Sequence, residues 1–330
     1  MSEIRKGAVE LGLCCIVNEL RSFKDSKGKK KEVFCGRTIN NKIHFTVEKA
    51  KEKALQNCKD LSLLIKYCTE KNIKCFRLGS DFFPRYDDAS IEGAKTLYAE
   101  GITFASSFLK EAGNLAKEKG IRLLMHPPQL VNIGSPRDEA LKISRSILEH
   151  HCDILDAMDI TPENGVLIVH LGGSYGAKKE TMERWIKNFN NNDIISLRVR
   201  KRLVIENCER QYSVEDCLYV HSKCNIPVVF DCHHHDCYVQ LHPGELKMEP
   251  KQFLPLVLQT WGENRIPVMH VSSQKEGAKL GAHADFIREL PEYMLKFFST
   301  IVNGKTVHLE VEAKAKEAAI YSLRQKYNFL

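Results

Sequence analysis

Eight short runs of apolar and β-branched residues recur along the chain, and each is followed by a longer stretch with apolar positions every third or fourth residue. The runs are VELGLCCIV (9–17), KCFRLGS (74–80), IRLLMHP (121–127), GVLIVHLGG (165–173), KRLVIENC (201–208), IPVVFDC (226–232), PVMHVSS (267–273) and TVHLEVEAK (306–314). Nearly continuous apolar runs of this length read as buried parallel strands, and the periodic stretches as amphipathic helices. The spacing predicts helices over 47–71, 91–119, from Pro136 toward Met158, from Lys178, from Ser213 to His221, near 250–260, and after the last strand. Ser213 suits an N-cap and Pro136 a first helical position. Eight strand–helix units predict an α/β fold, a single (β/α)8 TIM barrel over residues 1–330. A doubly wound open sheet is the alternative. It would carry a glycine-rich phosphate turn after the first strand, where Gly12-Leu13-Cys14-Cys15 stands instead.

The polar residues that interrupt this pattern gather at the carboxyl ends of the strands. His126 closes the third strand, His170 the fourth, Glu206 the fifth and Asp231 the sixth, with His234 three residues on; His270 and Glu312 lie near the ends of the seventh and eighth. In a barrel these ends converge on one rim, where the βα loops build the active site. Any one of them could be a hydrogen-bonded core residue, and a lone glutamate could pair with a buried arginine. Several ionisable groups buried together need partners of opposite charge, and Lys and Arg look scarce at these strand ends. Divalent cations meet the need. With His283, three carboxylates and five imidazoles exceed what one ion uses, so two or three ions are expected, bridged by Glu206. Mixed imidazole and carboxylate ligands favour manganese, zinc or iron over magnesium, which prefers oxygen. Three such ions would bring more positive charge than the carboxylates cancel. That suits an anionic substrate and a metal-activated hydroxide, hence phosphodiester hydrolysis.

Composition changes this picture little. The 330 residues are 43% hydrophobic and 28% charged, ordinary for a globular chain, with no apolar run long enough for a membrane span and no signal-peptide pattern at the start. An intracellular setting is therefore expected, and the twelve scattered cysteines read as reduced thiols. The net charge of +7 is compatible with a polyanionic partner. The densest basic run, KDSKGKKKE at 24–32, reads either as a solvated loop or as a phosphate grip.

The ordered motifs MHPPQ, VHLGGSYG, VIENCER, VVFDCHHH, VMHVSSQ, GAHAD and VEAK resemble the UV damage endonuclease family from about Leu11 to Lys316. The resemblance implies a xylose-isomerase-type barrel, related in fold to the three-metal apurinic endonucleases. It implies nicking of damaged double-stranded DNA 5′ to pyrimidine dimers, 6-4 photoproducts and abasic sites. The metal ligands carried over are His126, His170, Glu206, Asp231, His234, His270, His283 and Glu312, holding two or three divalent ions, manganese first, with zinc or magnesium as alternatives. Catalytic roles fall to Glu206, Glu312, His170 and Asp231. The family's duplex-inserting Gln-Tyr pair corresponds to Gln129 and Leu130, and the same motifs place Gly172, Gly173, Tyr175 and Asn207 on the DNA side. Lys275, Lys279 and Arg210 are candidate phosphate contacts.

Four positions depart from the family pattern. Leu130 replaces the aromatic wedge, and Val268 stands where some members carry a lysine that can be modified to a carbamate. Asp81 stands near a histidine position, and Leu13 where an aromatic often contacts the damaged strand. No protein partner is evident, and a monomer is expected. The rival readings are a single-metal sugar isomerase or epimerase on the same barrel, and a damage-binding protein without turnover.

Overall fold

A computed structural model of the protein describes residues 4–302 and 304–330. Eight strands, all paired in parallel, close into a barrel: β1 (Val9–Cys14), β2 (Cys75–Leu78), β3 (Arg122–Met125), β4 (Leu167–His170), β5 (Leu203–Glu206), β6 (Val228–Asp231), β7 (Val268–Val271) and β8 (Val307–Val311). Each pairs with its sequence neighbours, and β1 pairs with β8 to complete the ring. The main outer helices are α1 (Val47–Glu70), α2 (Ser106–Lys119), α3 (Asp138–Ala157), α4 (Lys178–Asn190), α5 (Val214–Cys224), α6 (Cys232–Leu241), α7 (Pro250–Gln259), α8 (Glu292–Phe298) and α9 (Glu317–Lys326). The eight-stranded TIM barrel read from the sequence is the fold.

Register divides each strand into two faces. One face, with Leu11, Leu13, Phe76, Leu123, Val169, Ile205, Phe230 and Leu309, packs under the helices in the main core. The other fills the barrel, where Cys75, Leu124, Val166, Ile168, Val204, Val229 and Val268 form their own apolar cluster with Trp261. One step of two residues toward the carboxyl ends, the inward positions become Arg77, His126, His170, Glu206, Asp231 and His270. The apolar layer is thus the floor of a polar mouth.

Several local expectations change. The 91–119 helix is two pieces, Glu92–Leu97 and α2, separated by a turn through Gly101 at φ +63 and a short 3-10 segment at Thr103–Ala105. The third helix begins at Asp138, because Ser135 Oγ accepts the Arg137 N–H at 3.1 Å and holds Pro136 in the preceding turn. Lys201 and Arg202 end a short helix, Leu197–Arg202, rather than opening β5. Ser213 does cap α5, in a reciprocal capping box with Asp216. The basic run at 24–32 is a small antiparallel hairpin, Phe23–Lys24 against Lys30–Lys31. Among the described residues no helix is long and apolar enough to cross a membrane, and all twelve cysteines are free thiols.

Candidate metal centre and DNA-facing rim

The stretch FDCHHHDC turns from strand β6 directly into helix α6, and Asp231 is its hinge. Asp231 Oδ1 accepts the His234 N–H at 2.8 Å, the N-cap bond of α6. Its other oxygen, Oδ2, is buried without a hydrogen-bond partner and lies 3.8 Å from His234 Nδ1 and 3.9 Å from His270 Nδ1. Three consecutive histidines on a helix point about 100° apart, so they cannot share one site. His234 turns into the mouth. His235 packs among Phe230, Phe253 and Tyr293, where burial drives its pKa down to about 4. His233 lies against Cys237 and the His283 ring.

Glu206 is the centre of the mouth. Its carboxylate meets four imidazole nitrogens: His126 Nε2 at 3.1 Å, His170 Nε2 at 3.6 Å, His234 Nδ1 at 3.2 Å and His270 Nδ1 at 3.0 Å. Burial alone would raise its pKa, but His270 and His170, with hydrogen bonds from His126 and His234, hold it well below the ordinary range. Burial opposes protonation of His234, yet Asp231 and Glu206 push its pKa up to about 11. Two groups of donors have the spacing of a cation shell, His126–His170–Glu206 and Glu206–Asp231–His270, and they share Glu206. Glu312 Oε1 lies 3.5 Å from His270 Nδ1, and Glu312 Oε2 lies 3.7 Å from His283 Nδ1. All eight residues singled out as ligands therefore reach one mouth. The unpartnered Asp231 Oδ2 and the crowding of imidazoles on one carboxylate fit divalent cations.

The tautomers are partly fixed. His126 Nδ1 donates to the Pro127 carbonyl at 3.0 Å, which leaves Nε2 free to coordinate. His270 is flanked by carboxylates on both sides: Glu206 at Nδ1, and Glu310 Oε2 2.9 Å from Nε2, off the ideal hydrogen-bond axis.

Glu310 was missed in the sequence, and so was Arg77. Glu310 is fully buried, one inward step below Glu312 on β8, in the alternation LEVE that could have revealed it. Gly12 on β1 makes room: a Cβ there would sit 3.1 Å from Glu310 Cγ. Arg77 on β2 answers the acids, with Nη1 2.5 Å from Glu312 Oε1 and 3.4 Å from Glu310 Oε2. The expected scarcity of basic groups at the strand ends is thus wrong at this position; FRLGS carries the arginine inward. Val268, on the same inward face as His270, packs in the apolar floor. Glu310→Gln should weaken cation binding by roughly 10–100-fold, read by calorimetric titration of the chelator-treated protein. Unchanged affinity would remove Glu310 from the centre.

The rim beside this cluster carries the DNA-side candidates. Gln129 and Leu130 form an exposed turn after β3, with Leu130 62% accessible. A cleft of about 240 Å³ runs from that turn to the cluster, lined by His126, Gln129, His170, Gly172, Gly173 and Arg210. Gly172, at φ +92, could not bear a side chain: its Cβ would lie 2.6 Å from Asn132 Oδ1. Tyr175 is half-exposed, its hydroxyl accepting from Asn132 Nδ2 at 2.8 Å. Lys275 and Lys279 are exposed on the loop that bears His283, whereas Arg210 is partly covered near the Leu280 carbonyl. Two assignments change. Asn207 is buried, and its amide ties β5 to β6 through the Asp231 backbone in both directions at 2.9 Å, so it faces no DNA. Leu13 lies in the main core under the helices, so no residue at that position could contact DNA in this chain. Asp81 sits exposed in a 3-10 turn after β2.

Comparison with known proteins decides the family. The family described as UV-endonuclease UvdE matches residues 9–329. The chain belongs to that family. UvdE-family membership makes it a DNA endonuclease, and it sets the sugar-isomerase reading aside. The chain is 33% identical over 329 residues to the UV-damage endonuclease of Schizosaccharomyces pombe, spanning 96% of this chain and 50% of that one. The crystal structure of SacUVDE superposes with a TM-score of 0.76 at 29% identity, covering 98% of this chain and all of the other. Endonuclease IV from Thermus thermophilus shares the fold, with a TM-score of 0.53 at 16% identity over 82% of this chain and 94% of that one.

Proposed function

We propose that this UvdE-family chain incises double-stranded DNA on the 5′ side of UV photoproducts, and of abasic sites, at the mouth built around Glu206. The observation that carries this reading is the pair of donor groups sharing Glu206 inside a cleft that opens toward an exposed turn. Two or three divalent cations fit the eight donors, with manganese favoured by the mixed imidazole and carboxylate set. When bound, they supply Lewis-acid polarisation of the phosphodiester and a lowered pKa for attacking water.

The protein's own groups do the rest. Glu206 and Asp231 hold negative charge at the floor, and Arg77 keeps Glu312 ionised: burial would raise its pKa, and Arg77 with His270 pulls it strongly down. His170 is poised beside Glu206 with its own pKa lowered by burial, so it stays neutral and able to coordinate. The Gly172-Gly173 backbone lets a phosphate approach closely, and Arg210, Lys275 and Lys279 offer cations along the strand. Leu130, with Gln129, wedges into the duplex where a damaged step is already weakly stacked.

Incision of three labelled duplexes, carrying a dimer, an abasic site or neither, in manganese, zinc and magnesium tests this reading. Damage-selective 5′ nicks are expected; lesion-selective binding with no nick in any cation would instead indicate a damage-binding protein. The wedge has its own test. Leu130→Tyr adds a stacking face and should tighten binding to the dimer duplex by about 1–3 kcal/mol, while Leu130→Ala should loosen it, measured by fluorescence anisotropy. If both match wild type, the turn does not enter the helix.

A further inference from the structure

The hairpin at 23–31 belongs to the segment that follows β1, so it rises from the same rim as the cluster. It is built, not loose. Asp25 Oδ1 accepts the Lys27 and Lys29 N–H groups at 2.9 and 3.0 Å, and Gly28 turns the chain at φ +74. Its base is fastened to the barrel. Phe23 and Leu20 pack on the core, and Val33 N–H donates to the Leu20 carbonyl at 2.8 Å. The Asn18 and Glu19 amides donate to the Glu317 carboxylate at 2.9 and 2.8 Å, beside the loop that carries Glu312.

On this fixed ribbon Lys24, Lys27, Lys29, Lys30 and Lys31 are all exposed. Among the described residues only Lys31 has an acidic neighbour within ion-pair reach, Asp25 at 4.0 Å. Lys24 stands directly opposite Lys30 in the ladder. Like charges at such a pair are destabilising, so the hairpin concentrates cations at a cost that only an external polyanion relieves. A regular row of negative charge is what a duplex backbone presents.

We propose that this hairpin is an arm that grips the phosphate backbone of the duplex flank, outside the damaged step. The proposal rests on the nuclease reading only for the duplex as ligand, and it is tested on undamaged DNA. The full chain is compared with a variant carrying Lys27→Gln, Lys29→Gln, Lys30→Gln and Lys31→Gln, and with one carrying arginine at the same four positions. Binding to undamaged duplexes of about 10 and about 30 base pairs, one and three helical turns, is followed against salt. On the long duplex the glutamine variant should lose at least tenfold in affinity at low salt. Its salt slope should be shallower by roughly 3, at ~0.9 per released contact. The short duplex should bind it as it binds wild type, and the arginine variant should keep the full slope. Equal slopes for glutamine variant and wild type overturn the arm, as does a wild-type chain that binds neither duplex. Equal losses on short and long duplex also overturn it, placing the lysines at the cleft instead. A wild-type chain that shows the slope change yet never nicks damaged DNA sinks the nuclease reading and leaves the arm standing.

Discussion

Glu206→Gln abolishes incision. The substitution keeps the volume and removes the one carboxylate that four imidazoles share at 3.0–3.6 Å. Losing a hydrogen-bond partner of a metal ligand costs roughly 10–100-fold; losing the group common to both donor sets should cost more, a fall of about a thousandfold or greater in the nicking rate at saturating cation. Cation stoichiometry, read by elemental analysis after gel filtration, should drop together with the rate. A variant that nicks at the wild-type rate would take Glu206 out of the reaction. One that is inactive yet fully loaded would move its role from holding ions to positioning the phosphodiester.

Arg77→Met should have the largest effect on stability. The guanidinium is the cation against two buried acids, Glu310 and Glu312. Removing one partner of a buried ionic network costs roughly 3–5 kcal/mol, because the remaining charge stays desolvated. At about 2.1 cal/mol/K of unfolding entropy per residue, a chain of this length would lose about 5–7 °C in Tm. Divalent cations would stand near the same Glu312 carboxylate, so the loss should be deeper in chelator than in manganese. Differential scanning calorimetry of wild type and variant under both conditions gives the four midpoints. The same drop in both would mean that Arg77 matters as packing and not as charge.

Much of this was legible in the residues because a barrel has two strict periods. Eight apolar runs at regular spacing fix the ring, and a polar residue at each strand end marks the rim. His126, His170, Glu206 and Asp231 could be placed that way. What the pattern hid were inward residues away from the strand ends. Arg77 sits inside FRLGS, where a single basic residue looks like a surface position until the register with Cys75 turns it inward. Glu310 was hidden by its neighbour: once Glu312 explained the acid in LEVEAK, the second acid two residues earlier went unread, although the period of two puts both on one face. Asn207 erred the other way. An asparagine beside a catalytic-looking glutamate suggests a ligand contact, but pairing with the Asp231 backbone depends on a neighbouring strand that sequence spacing does not show. The FDCHHHDC stretch looked like a loop because histidine is a weak helix former, and the cap that starts α6 is the same aspartate that ends β6.

That shared aspartate bears on how readily an ion is captured. Because Oδ1 is committed to the His234 N–H, the side chain has already given up its rotamer freedom in folding. Ordering a side chain at the moment of binding typically costs about 0.5–1.5 kcal/mol. Here that cost falls on the helix, so Oδ2 waits in a single orientation, able to offer one lone-pair direction and unable to swing round and chelate with both oxygens. The fold has thus chosen the denticity of this ligand before any ion arrives.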